Sequence, residues 1–177
     1  MDRPAQQQVT ERVAAAAVPR QERMDISDLL QAEAVRVLGH MTSKKRLFQE
    51  LGDIAAAVYG LPAGPATDGL QERESLGPTG VGHGIALPHA RLDGLDRIVG
   101  IFIRLERPME FDSVDRQPVD LVFTLFAPKD SGVEHLKALA LISRTMRDPA
   151  VCTKLRANTQ PATLHAILTE TRTNKAA

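Results

Sequence analysis

The sequence predicts an α/β fold in one domain, with helices on either side of a central group of strands. Three observations predict it. Ile98 to Leu105 and Val119 to Phe126 are β-branched and aromatic runs of strand length, nearly continuous in apolarity. That is the pattern of strands covered on both faces. Helical periodicity brackets them, with Leu47, Leu51, Ile54, Ala55 and Val58 before and Leu136, Leu139, Ile142 or Ser143, and Met146 after. Finally, 177 residues at 43% hydrophobic content suffice for one well-packed domain and are short for two.

Taken in order, residues 1–23 are polar and rich in Gln and Ala without a sustained apolar face, which predicts a disordered tail. Met24 opens the first convincing pattern, Met24-Asp25-Ile26-Ser27-Asp28-Leu29-Leu30, and is a candidate initiator. Thr42 or Ser43 supplies an N-cap oxygen for a helix running to about Tyr59. Gly60 and Pro62 stop it, since Gly takes the left-handed position and Pro cannot continue the helix. Leu61 to Gly69 reads as a Gly/Pro-rich connection leading to the charged cluster Glu72-Arg73-Glu74. Gly84-Ile85-Ala86-Leu87 reads as a short strand ended by Pro88. After the two long strands, Pro128 and Gly132 mark the return to helix, ending near Arg147. Asp148-Pro149 pairs a cap with proline at the first helical position, so a short helix restarts there. A last helix runs from about Pro161 to Glu170, with Leu164, Ile167 and Leu168 inward. The predicted domain is therefore 24–170, with 171–177 a C-terminal tail.

Composition narrows the function classes. Lys plus Arg equals Asp plus Glu at 22 each, and aromatic residues make up 3% with no Trp. Neither a concentrated basic face nor stacking platforms for bases are expected, which argues against nucleic-acid binding. Cys152 is the single cysteine, so an intrachain disulfide is excluded and a reducing compartment fits. No apolar run reaches bilayer length, and Val13 to Val18 lacks the basic flank and clean core of a secretory segment. A cytoplasmic protein without membrane insertion is the expectation.

The richest segment is Thr79-Gly80-Val81-Gly82-His83-Gly84-Ile85-Ala86-Leu87-Pro88-His89. Its alternating glycines let backbone run close to a neighbour or a phosphate. Pro88 stiffens the approach to His89 at a strand terminus. An imidazole so held can attack phosphorus if one nitrogen is unprotonated and an acceptor pins the other. From spacing alone, a strand-end histidine bonded to a carbonyl is the more economical reading. His135 falls in the first turn of a helix, where the dipole disfavours an imidazolium and free N–H groups attract anions. A surface histidine at a helix start is again the more economical reading. Arg73 is either one charge of a solvated triplet or a bidentate donor to phosphoryl oxygens. No GxxxxGK[ST] loop, GxSxG elbow, HExxH or Cys pair is present, so P-loop, hydrolase and metal chemistry lack support. Cys152 reads as a small core residue.

The segment from Thr79 to His89 resembles the phosphorylation-site motif of type-2 IIA proteins. These are the fructose/mannitol and nitrogen-regulatory classes of the bacterial phosphoenolpyruvate-dependent phosphotransferase system. Thr42-Ser43-Lys44-Lys45 resembles the nitrogen-regulatory class, as do Phe111 to Leu121 and His135-Leu136 with the helix behind it. The resemblance spans about Met24 to Glu170. It implies a central mixed sheet flanked by helices on both sides, and phosphorylation of His89 as a tele-phosphohistidine. It further implies His135 as the supporting second histidine and Arg73 as a phosphate-supporting arginine. One departure is His83, where many relatives carry Asn.

The implied role is a phosphocarrier of the nitrogen-regulatory branch rather than a classical enzyme. His89 would accept phosphate from a histidine phosphocarrier protein, and phosphorylation would govern binding to regulatory targets such as potassium transport or sensor kinase proteins. No cofactor and no metal are expected. Two other readings stay open: a sugar-specific IIA protein passing phosphate to a IIB domain, and a binding module that is never phosphorylated.

Overall fold

The computed structural model describes residues 23–170, so the expected tails fall outside it apart from Arg23. Among the described residues six strands form one mixed sheet, with six α-helices packed around it. Helix α1 (Ile26–Leu29) and a single 3₁₀ turn lead into strand β1 (Val35–Leu38), followed by α2 (Lys44–Tyr59) and α3 (Ala63–Ser75). Strands β2 (Gly80–Gly82), β3 (Ile85–Ala86), β4 (His89–Leu92), β5 (Val99–Met109) and β6 (Val119–Pro128) come next. The chain closes with α4 (Gly132–Met146), α5 (Pro149–Arg156) and α6 (Pro161–Glu170). No described helix is long and apolar enough to cross a membrane.

The sheet order is β1-β5-β6-β3-β2, with β4 also paired to β6. β1 runs parallel to β5, β5 antiparallel to β6, and both β3 and β4 parallel to β6. β6 is the central strand, and every residue from Leu121 to Ala127 is buried. Successive residues of a strand point to opposite faces, so this unbroken burial means both faces are covered. The expected reading of the two long apolar runs holds, and β5 extends four residues beyond Leu105.

Local signals place several helix ends. The Ser43 side chain accepts from the Arg46 N–H at 3.1 Å, and Gly60 closes α2 with φ of 70°. Asp148 accepts from the Ala150 N–H at 3.0 Å, and Pro149 occupies the first position of α5. Cys152 is buried in α5, as expected of a core residue.

Three readings are corrected. Leu61 to Gly69 is not a loop, because α3 begins at Ala63 and carries Gly64, Pro65 and Gly69 within it. Pro65 lies in the first turn, where its missing N–H costs nothing. Gly69 is a contact residue: a Cβ there would lie 3.1 Å from Ala90 Cβ and 3.3 Å from Leu92 Cδ2 on β4. Tertiary packing therefore outweighs the weak helix propensity of the segment. Second, the inward face of α4 carries His135, Ala138, Leu141, Ile142 and Met146, whereas Leu136 is 63% exposed. Third, Pro88 interrupts a strand that resumes at once. His89 is the first residue of β4, and β3 and β4 keep the same register on β6, with Ile85 opposite Leu121 and His89 opposite Leu125.

Candidate functional site

Pro88 has no N–H, and the Leu87 N–H turns away from β6 to the Thr79 carbonyl at 2.9 Å. The Pro88 carbonyl still accepts from the Leu125 N–H at 3.1 Å, which keeps β4 in line with β3. At this break the Leu87 carbonyl faces the His89 ring, 2.9 Å from Nδ1. A carbonyl only accepts, so Nδ1 carries the proton and Nε2 holds the lone pair.

α3 supplies the group facing that lone pair. Close packing at Gly69 lets α3 lie against β4, and Arg73, one turn further on, shares that helix face. Arg73 Nε donates to His89 Nε2 at 3.3 Å, and Nη1 donates to the Gly77 carbonyl at 3.0 Å. From the other side α4 presents His135 in its first turn. The two imidazoles sit 5.7 Å apart between centroids, tilted by 67°. His89, His135 and Arg73, singled out separately in the sequence, thus meet at one place where α3, β4 and α4 converge.

Both imidazoles are neutral at pH 7. Burial lowers the His89 pKa, and Arg73 adds to this, while the Leu87 hydrogen bond and Glu74 act in the opposite direction. The His135 pKa is pushed down to about 4, chiefly by burial and further by His89 and Arg91. His135 Nδ1 is buried without a hydrogen-bond partner. An uncharged ring with an open lone pair, an adjacent guanidinium and a helix N-terminus make a setting able to take and hold an anionic group. Among the described residues no group of three or more His, Cys, Asp or Glu is placed to hold a metal ion.

His83 lies apart from this constellation, at the turn between β2 and β3. It adopts the left-handed conformation, with φ of 57°. Its N–H donates to Asp115 at 2.9 Å and its carbonyl accepts from Arg156 at 2.8 Å. Asn, Asp and His enter that conformation more readily than other non-glycine residues, and these contacts hold His83 there.

Sequence reasoning missed Glu74 and Thr79. Glu74 reads as a flanking charge, yet its side chain is only 7% exposed. It accepts from the Thr79 N–H and Oγ and from Lys44 Nζ, the last at 2.9 Å. Lys44 also lies over the Phe111 ring, 4.5 Å from its centroid. The signal was its place beside Arg73, but only the loop geometry reveals that Glu74 turns inward.

Residues 28–171 match the family model described as phosphoenolpyruvate-dependent sugar phosphotransferase system, EIIA 2. A nitrogen regulatory protein of Bradyrhizobium diazoefficiens is 45% identical over 145 residues, covering 82% of this chain and 95% of the relative. A nitrogen regulatory protein of Klebsiella oxytoca is 38% identical, with coverage of 87% and 96%. The crystal structure of the nitrogen regulatory protein IIA-Ntr from Neisseria meningitidis superposes with a TM-score of 0.75 at 34% identity, covering 81% of this chain and 99% of that one. On agreement of sequence over nearly the whole described domain, and of fold, the chain belongs to the type-2 IIA family of the phosphotransferase system, among its nitrogen regulatory proteins.

Proposed function

We propose that this protein carries a phosphoryl group on Nε2 of His89, received from a histidine phosphocarrier protein, and that phosphorylation controls its binding to regulatory partners. The observation that carries the reading is the Leu87 carbonyl on His89 Nδ1, which leaves Nε2 as the nucleophilic nitrogen. In transfer, the Nε2–P bond forms as the donor's own N–P bond breaks, and the donor nitrogen keeps the electron pair. Positioning and charge stabilisation account for most of such a step, because the protein has little covalent chemistry to perform. Arg73 would turn its donors from the Nε2 lone pair to the phosphoryl oxygens. The neutral His135 ring and the start of α4 offer a second side to the same group.

The regulatory part of the proposal rests on charge. Phosphorylation adds close to two negative charges where a neutral ring stood. Leu76, Val133 and Leu136 are 81%, 65% and 63% exposed, on the C-terminal cap of α3 and the first turns of α4, the elements that carry Arg73 and His135. A partner burying such apolar side chains next to a dianion meets a desolvation cost absent from the unphosphorylated form. By the family resemblance, potassium transport proteins and sensor kinases are the partner classes to test.

The test begins with the protein, phosphoenolpyruvate and the phosphocarrier chain of the same organism, read by intact mass and acid lability. Gain of one acid-labile phosphoryl group, lost in His89→Ala, supports the carrier role; no gain refutes it. Titrating a candidate partner against phosphorylated and unphosphorylated protein then tests the switch, and equal affinities refute it for that partner.

A further inference from the structure

We propose that Glu74 is a positioning residue for His89, acting through Thr79 and Leu87 to hold the imidazole in the tautomer that leaves Nε2 open. The inference rests on His89 being the phosphoryl acceptor.

Glu74 occupies an unfavourable place. It lies in the last turn of α3, where the negative end of the helix dipole opposes a carboxylate, and its side chain is nearly buried. Several donors offset that cost. Lys44 Nζ lies 2.9 Å away, the Thr79 N–H reaches both carboxylate oxygens at 3.1 and 3.2 Å, and the Thr79 hydroxyl donates as well. A side chain serving only solubility needs none of this.

The contacts continue toward the site. Thr79, held at its N–H and hydroxyl by Glu74, offers its carbonyl to the Leu87 N–H at 2.9 Å. The Leu87 carbonyl in turn takes the proton of His89 Nδ1 at 2.9 Å. Next to Pro88 the Leu87 N–H is outside the ladder with β6, so the Thr79 contact orients it. Arg73, the neighbour of Glu74, meets the other ring nitrogen and the Gly77 carbonyl. One helical turn therefore governs both nitrogens of His89, Nε2 through Arg73 and Nδ1 through Glu74.

The two grips act at different moments. While Arg73 donates to Nε2, it too favours the Nδ1–H tautomer. Once Arg73 turns to an incoming phosphoryl group, the Leu87 carbonyl alone selects it. Loosening the Gly77–Thr79 loop then allows the Nε2–H form, which has no lone pair at the attacking nitrogen.

The experiment measures His89 ring ¹⁵N shifts by NMR at neutral pH in an Arg73→Ala background, where the Leu87 carbonyl alone selects the tautomer, and, separately, phosphoryl transfer from the phosphorylated donor with Arg73 present, in Glu74→Gln, Thr79→Val and Thr79→Ser. Thr79→Val keeps the backbone contacts and guards against a folding defect in the Glu74 variant. Expected are a raised Nε2–H fraction in Glu74→Gln and Thr79→Val, kcat lowered about tenfold to a hundredfold, and KM for the donor within about twofold. Thr79→Ser, which restores the hydroxyl, should return both readouts to near wild type. An unchanged tautomer in both variants overturns the proposal whatever the rates do, and so does a shifted tautomer with wild-type kcat. A wild-type protein that takes no phosphate on His89 refutes the carrier reading instead, and the NMR arm still judges the coupling of Glu74 to His89.

Discussion

The imidazoles of His89 and His135 meet edge to face, 5.7 Å between centroids, across the gap between the start of β4 and the first turn of α4. Neither ring can take a proton without burying charge beside the other, and Arg91 adds to the cost at His135.

A pH dependence of stability follows. The His135 pKa falls from 6.5 in the unfolded chain to about 4 in the folded one, so between those values only the unfolded chain binds the proton. Stability is therefore full above pH 6.5, declines as pH falls, and levels off for this group below about 4. His89 acts in the same direction. In urea titrations at pH 4, 5, 6 and 7, His135→Asn should lose part of the slope, on the order of 1–3 kcal/mol over the window. Parallel curves for variant and wild type would remove His135 from the account.

His89→Ala should abolish acid-labile phosphorylation and leave the melting temperature near that of wild type. The ring is half-buried, so truncation removes the proposed acceptor without opening the core. Phosphate gained by the variant at the wild-type rate would show that another residue is the acceptor.

Arg73→Ala and His135→Ala should slow transfer without eliminating it. On the proposed role each loses a group that would face the developing phosphoryl charge, an effect of about 2.7–4 kcal/mol in comparable anion-stabilising sites, or roughly a hundredfold to a thousandfold in rate. Arg73→Lys should rescue only in part, since an ammonium cannot reproduce the guanidinium fork. Single-turnover rates at equal folded fraction decide the matter, and wild-type rates would assign both residues structural roles alone.

Gly52→Ala should destabilise the domain by about 1–3 kcal/mol. A Cβ at that position collides with Thr67 Oγ1 and comes within 2.7 Å of the Ala63 carbonyl, so α2 and α3 must separate. Because α3 carries Arg73 and Glu74, the same substitution should slow transfer at low denaturant. Urea midpoints and transfer rates measured together test the link, and a variant as stable as wild type would break it.

The fold class, both long strands, and the helices α2, α4, α5 and α6 were legible in the sequence, because these rest on local chemistry. Apolar run length marks β5 and β6, Ser43 and Asp148 cap their helices, and Gly60 ends α2. The motif ending in Pro88-His89 also singled out the residue at the centre of the site. Tertiary structure alone decided three further matters. Gly64, Pro65 and Gly69 form a helix because α3 gains close contact with α2 and β4, which local propensity cannot register. His135, rather than Leu136, turns inward because α4 settles on the sheet at one rotation, and a helical pattern of mixed residues leaves that rotation open. The tautomer of His89 and the inward turn of Glu74 depend on the loop from Gly77 to Thr79 crossing beside Leu87, a contact between segments that no local pattern encodes.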